Sequence, residues 1–257
     1  MRITIIGSGN VATHLAAALK NAGHKIVQVY SPNYQNASLL AYHVGADAIS
    51  DFSAINGANT DLFIMSVKDD AIADACQKLA IHQKIIAHTS GATALLPGVN
   101  MGVFYPLQTF SKTKELDFSQ VPLCIEGSDD QTTETLEQLA HTVSKNVYRV
   151  SSDQRKILHL AAVFACNFPN ALYAVAQGLL AEYQLDFNML RPLILETAEK
   201  VQQNLPATVQ TGPAVRRDEK TMQYHLNLLN HRPELQDIYR SLSQQIIKMD
   251  NALKGDE

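Results

Sequence analysis

The sequence is poor in the residues that would commit it to several function classes. Cysteine occurs three times in 257 residues, at Cys76, Cys124 and Cys166, with no C-x-x-C pair. An odd, sparse set implies reduced thiols and a cytoplasmic setting rather than a disulfide framework. The nine histidines are scattered. No pair has the spacing of a zinc finger or a metal-binding helix, so no metal site is expected. Positive charge is not in surplus: 21 Lys and Arg face 25 Asp and Glu, a formal net charge of -4. That balance argues against nucleic acid as a partner. No apolar run is long enough to span a membrane, so no membrane partner is expected. No secretory leader is expected either, because residues 1–6 read as a strand and a glycine turn follows at once. Internal repeats, low-complexity segments and Pro/Gly-rich linkers are also missing.

What remains is a globular composition, 46% apolar and 18% charged. The length suits one large domain or two ordinary ones. The first half alternates two patterns. Short β-rich runs are Arg2–Ile6, Ile26–Tyr30, Asp61–Val67, Ile85–His88, Gly102–Tyr105, Pro122–Glu126 and Val147–Val150. Helical spacing appears between several of them, in Val11–Asn21, Ala37–His43, Asp70–Ile81 and Thr132–Lys145. Alternation of this kind predicts an α/β, Rossmann-type, doubly wound and mostly parallel sheet with helices on both faces. After Ser151 the strand patterns stop. Asp153–Glu182, Met189–Gln203, Thr221–Leu229 and Pro233–Ala252 read as helices. The expected division is a nucleotide-binding domain over 1–151 and an all-α domain over 152–257, with Ser151, Ser152 or Asp153 capping its first helix.

The strongest motif is "ITIIGSGNVATHLAAAL". A β-branched run leads into Gly7-Ser8-Gly9-Asn10-Val11-Ala12, a G-x-G-x-x-A turn, and then a helix. The first glycine permits the tight turn, the second lets a pyrophosphate approach the backbone, and the small third residue lets helix and strand touch. Amides at the helix start then face the phosphates along the helix dipole. Dinucleotide binding is expected here; the alternative is an ordinary strand–turn–helix corner.

The second strand ends in Tyr30-Ser31-Pro32-Asn33. An acid at this place would hold the ribose of NAD, and an arginine would take the extra phosphate of NADP. Neither is present. A carboxylate would repel a 2′-phosphate, so its absence permits NADP. Ser31 and Asn33 offer neutral hydrogen bonds, weaker than an arginine fork. NADP is the expected cofactor, with NAD as the alternative.

Ligands in such sheets sit beyond the carboxyl ends of the strands. There the sequence offers Ser66, Val67 and Lys68, with Asp69 or Asp70 as a helix cap. It then offers Ser90 in "HTSGA", where His88 can equally be a satisfied strand-end histidine. Gln108 and Thr109 in "GVFYPLQTFSK" can wall a substrate or simply turn the chain. In "HLAAVFACNFPNALY", His159 and Asn167 lie about 80° apart around a helix and about 12 Å along it, so both can border one cleft. Pro169 should kink that helix. In "QTGPAVRRDEK", Arg216 is a candidate for an anionic substrate group, and equally an exposed arginine.

"GSGNVA" followed by "SVKDDAI" resembles the N-terminal domain of pyrroline-5-carboxylate reductases and the wider 6-phosphogluconate dehydrogenase-like group. "HTSG", "FYPLQTFSK", "HLAAVFACNFPN" and "QTGPAVRRD" resemble a narrower family across nearly the whole chain. Its members are bacterial proteins with a Rossmann-like NADP-binding domain followed by domain of unknown function 2520. The resemblance implies a helical second domain, a homodimer formed through it, and NAD(P)-linked oxidoreductase chemistry on a small molecule. Two positions depart from the pattern. Pro32 stands where relatives often have arginine. With Asn167 taken as the asparagine of the larger group's Lys-x-x-x-Asn, Val163 stands where the lysine would be. The acid/base role then falls to His159, whose ordinary titration lies near neutrality, with Asn167 positioning the substrate. The rival expectation is a non-catalytic dinucleotide-binding sensor or scaffold.

Overall fold

The computed structural model describes residues 1–111 and 114–255, so Lys112 of the "FYPLQTFSK" motif lies outside the described residues. Eight strands form one sheet: β1 (Arg2–Ile6), β2 (Lys25–Tyr30), β3 (Asp47–Ile49), β4 (Leu62–Met65), β5 (Ile85–His88), β6 (Met101–Pro106), β7 (Leu123–Gly127) and β8 (Val147–Arg149). Their order is β3-β2-β1-β4-β5-β6-β7-β8, and every pair is parallel except β6 with β7. The order reverses between β1 and β4, which opens the crevice that such sheets use for ligands.

Period-2 alternation feeds two cores. Ile3, Ile5, Leu62 and Ile64 point into one; Ile6, Phe63 and Met65 point into the other. The first core is closed by Leu15 and Leu19 of α1 (Asn10–Asn21), Leu40 of α2 (Tyr34–Val44) and Leu136 of α4 (Asp130–His141). The second is closed by Ile72 and Leu79 of α3 (Asp69–Leu79). Because both faces are covered, the central strands read as nearly continuous apolar runs.

The three-residue edge strand β3 is not legible in the sequence. Asp47-Ala48-Ile49 is too short to show alternation and is defined only by pairing with Gln28–Tyr30. Asp69 and Asp70 are not caps: Lys68 occupies the cap position of α3 without a side-chain bond, and both acids lie in the first turn. There they face the positive end of the helix dipole.

Helix α5 (Ser152–Ala162) starts with a reciprocal capping box in which Ser151 accepts from the Gln154 amide and Gln154 accepts from the Ser151 amide. A π-helical segment, Val163–Asn167, joins it to α6 (Phe168–Glu182). The expected kink therefore takes the form of a widened turn. Pro169 cannot donate to the carbonyl of residue 165, and the Phe168 amide bonds instead to Val163 O, five residues back.

The compact units are Met1–Leu172 and Tyr173–Glu257. They divide inside α6 rather than at 151/152, because α5 is bonded to the sheet. Arg155 is fully buried. Its guanidinium donates to Glu126 Oε2 at 2.5 Å and to Thr93 O at 2.6 Å. Glu126 also accepts from the amide and hydroxyl of Ser152, whose Oγ accepts from the Leu95 amide. Leu158 packs beside Val103, Tyr105 and Cys124. Among the described residues only Arg155 Nε is a buried side-chain polar atom without a partner.

The second unit contains the remainder of α6 with α7 (Arg191–Gln203), α8 (Glu219–Leu228) and α9 (Pro233–Lys254). Asp218 caps α8, and Arg217 pairs with Asp250. Glu182 pairs with Arg232, and His225 bonds to Tyr239. Among its described residues only Ala214 is buried. One expectation is corrected: Ser152–Glu182 is long and apolar enough to cross a membrane by length and composition. No charged residue lies between Lys156 and Glu182, and Asn167, Asn170 and Gln177 interrupt the apolar run without lowering its mean hydropathy enough.

Arg155→Met removes one partner of a buried ion pair and strands the Glu126 carboxylate. Its expected cost, read by urea unfolding, is roughly 3 kcal/mol or more. A loss under about 1 kcal/mol, the range of an exposed pair, would contradict the anchoring role.

Candidate active site

At the end of β1, Gly7 adopts φ +118°, and a Cβ there would lie 2.2 Å from Ser66 O. The loops after the neighbouring strands β1 and β4 thus touch through a missing side chain. Gly9 occupies the cap position of α1, with no side-chain cap and no acid in the first turn. A Cβ on Gly9 would meet nothing within 4 Å. The helix's first amides therefore face open space with no competing side chain. Ala12 is buried where helix and strand meet. This cradle fits the pyrophosphate of a dinucleotide, with Gly7, Ser8, Gly9 and Val11 supplying its backbone.

The side chain of Asn10 is committed elsewhere. Its amide nitrogen donates to Phe110 O at 2.9 Å, while His14 Nε2 lies 2.9 Å from Ser111 O. These bonds hold the loop after β6 across the start of α1. At the end of β2, the buried Ser31 Oγ accepts from Ser8 Oγ and from the Asn33 amide. Asn33 Oδ1 caps α2 by accepting from the Asn36 amide. Part of the polar capacity expected to meet a 2′ group is therefore used to shape this turn. The Ser31 hydroxyl proton and the Asn33 Nδ2 remain as donors. No acid lies in the first turn of α2.

Ser66 Oγ accepts from Thr89 Oγ1, Val67 is half-buried, and Lys68 is exposed without an ion pair among the described residues. Ser90 Oγ accepts from the Ala92 and Thr93 amides, so it shapes the loop after β5. His88 is the satisfied strand-end histidine. Its Nδ1 accepts from the Ser90 amide, and its Nε2 therefore carries the proton donated to Ala94 O. Burial first, and the positive charge of Arg155 second, hold its pKa down to about 4, so it stays neutral.

A cavity of about 360 Å³ lies within the first compact unit, lined by Tyr105, Gln108, Thr109, His159, Val163 and Asn167 among others. Its size admits a small molecule. The structure thus unites four of the residues singled out in the sequence: Gln108, Thr109, His159 and Asn167. Gln108 Oε1 accepts from the amide and hydroxyl of Thr109, which pairs the two at the rim. Asn167 sits in the π-helical segment, exposed, and its side-chain amide makes no hydrogen bond among the described residues. It is therefore not consumed in repairing the backbone beside Pro169.

His159 Nδ1 lies 3.1 Å from Tyr105 Oη, with the rings edge-on. Burial, with Cys124 nearby, pushes the Tyr105 pKa up to about 12. Both side chains crowd Gly91, where a Cβ would lie 2.7 Å from His159 Nδ1 and 2.7 Å from Tyr105 Cζ. Arg216 belongs to the second unit, exposed beside Asp218, whose carboxyl it helps to hold low after the Thr221 hydrogen bonds. Arg155 and Tyr105 were not legible as site residues. A helical arginine one turn before His159 is the only sequence signal for the first. Tyr105 reads there as one aromatic among three.

Residues 2–90 match the family model described as NADP oxidoreductase coenzyme F420-dependent, and residues 121–246 match the domain of unknown function 2520. No curated protein matches the chain. A crystal structure from Bacteroides fragilis, titled a "putative NADP oxidoreductase", is 43% identical with a TM-score of 0.89, over 96% of this chain and 98% of that one. A Thermotoga maritima protein is 19% identical with a TM-score of 0.76, over 98% and 99%. The NADP-bound pyrroline carboxylate reductase of Plasmodium falciparum is 10% identical with a TM-score of 0.59, over 97% and 98%. The last two share the fold.

Proposed function

The chain belongs to the family of Rossmann-like NADP-binding proteins that carry a C-terminal domain of unknown function 2520, and we propose that it is an NADP-dependent oxidoreductase acting on a small carbonyl, imine or alcohol. The observation that carries this reading is the position of His159. Its Nδ1 crowds Gly91, in the loop beyond the carboxyl end of β5, so an imidazole stands at the sheet edge where this fold receives its ligands.

The cofactor is NADP. When bound, it supplies or accepts the hydride. The protein's own residues do the rest. The Gly7–Val11 turn receives the pyrophosphate on uncapped amides. The Ser31 hydroxyl, the Asn33 side-chain amide and the acid-free first turn of α2 meet the 2′-phosphate as neutral donors. Asn167 orients the substrate's polar atom. His159 gives a proton to that atom on reduction and takes one on oxidation. Gln108 and Thr109 form the polar rim. The free thiols suit a reducing cytoplasm.

The working form we infer is a homodimer. Leu160, Phe164, Phe168 and Leu172 follow one another at i, i+4 spacing and are 53%, 62%, 48% and 36% exposed. The second unit has almost no buried core of its own. A helical body so exposed gains its stability by covering these faces with a second copy. The polar interruptions at Asn167, Asn170 and Gln177 favour a protein partner over lipid.

In NADPH oxidation against small aldehydes, ketones and cyclic imines, the native chain is expected to turn over at least one compound. His159→Ala should lower kcat on the order of a hundredfold and leave the KM for NADPH within about twofold. Tight NADPH binding with no turnover anywhere would place the chain with the sensors. By light scattering, the native chain should have twice the chain mass, and Phe164→Asp should shift it toward the monomer. Partition of the native chain into lipid vesicles would contradict the dimer reading.

A further inference from the structure

We propose that Tyr105 is a positioning residue for His159: its hydroxyl fixes the imidazole through Nδ1 and leaves Nε2 as the nitrogen that exchanges a proton with substrate. This rests on the reading of His159 as the proton donor and acceptor. Three segments meet at the pair. Tyr105 stands on β6 and is 9% exposed, His159 stands on α5, and Gly91 follows β5. Arg155 is one turn before His159 on the same helical face, and its bonds to Glu126 and Thr93 fix that face against the sheet. The hydroxyl then meets Nδ1 at 3.1 Å. A Cβ on Gly91 would lie 2.9 Å from that hydroxyl oxygen and closer still to Nδ1. Only glycine leaves room for this hydrogen bond.

The chemistry favours a hydroxyl at this place. A phenol both donates and accepts. Its oxygen accepts from Nδ1–H of the imidazolium, and from Nδ1–H of the neutral ring left when Nε2 gives up its proton, so the ring keeps one orientation in both states. On reduction the imidazolium Nε2–H bond breaks and an O–H or N–H bond forms on the substrate heteroatom. NADPH, when bound, would supply the hydride to the substrate carbon, and His159 would be left neutral with its proton on Nδ1. Tyr105 keeps its own proton throughout, since its buried phenol titrates far above neutrality. The charged and titratable groups acting on the phenol are Cys124 from β7 and Arg155 from α5. Cys166 lines the same cavity as His159. Among the described residues, His159 Nε2 has no hydrogen-bond partner.

The test uses the full chain with 15N-labelled histidine, the His159 signals being assigned by their loss in His159→Ala. Tyr105→Phe keeps the ring and its packing but removes the hydrogen bond. The His159 Nδ1 resonance should move in this variant, with and without NADP. Against the same carbonyl and imine panel, kcat should fall on the order of tenfold to a hundredfold with the KM for NADPH little changed. Gly91→Ala, which displaces the pair while keeping both side chains, should move the resonance in the same way. An unmoved Nδ1 resonance or an unchanged kcat in Tyr105→Phe overturns the proposal while the role of His159 stands. Unchanged turnover in His159→Ala overturns both.

Discussion

The candidate site depends on one buried contact, the bond of Arg155 to Glu126. A guanidinium with no solvent exposure is costly unless its hydrogen bonds are met. Here Glu126, Thr93 and Ser152 each accept one N–H of the guanidinium, and Nε is left without a partner. The pair need not add net stability over an apolar substitute. Its effect is geometric, since breaking either side leaves a buried charge. That penalty holds the first turns of α5 against β7 and the loop after β5. His159, one turn on, is carried to the sheet edge, and the π-helical segment before Pro169 brings Asn167 to the same cavity.

The cofactor side depends on two missing side chains. At Gly7 a Cβ would strike Ser66 O, so the contact between neighbouring loops requires glycine. At Gly9 a Cβ would strike nothing, and the space is left for a ligand. The first glycine is needed by the fold and the second by what the fold holds. At the second strand end the chain lacks both the acid of NAD enzymes and the arginine of many NADP enzymes. Ser31 and Asn33 build the turn with part of their polar capacity and offer the rest. Discrimination by such neutral donors should be modest.

Much of this was legible in the sequence because it is local. The alternation of β-branched runs with helical spacing reads directly, and so does the glycine turn. The Ser151 cap and the disturbed turn before Pro169 also have local causes. What was hidden depends on pairing across the chain. Strand β3 exists only beside β2. The unit boundary moved from 151 to 172 because Arg155 reaches Glu126, 29 residues earlier. The Asn10 side chain is tied to Phe110, 100 residues away. Tyr105 became distinct from its aromatic neighbours only when α5 placed His159 beside it. Ser90, offered beyond the end of β5, has its oxygen bonded by two loop amides that no local pattern announces.

The central claim is that the glycine turn and the acid-free second strand end hold NADP. Parallel calorimetric titration of the full chain with NADPH and with NADH tests it most directly. The account predicts one site per chain and tighter binding of NADPH, by about tenfold or less, ~1.4 kcal/mol. No binding of either dinucleotide, or a hundredfold preference for NADH, would contradict it.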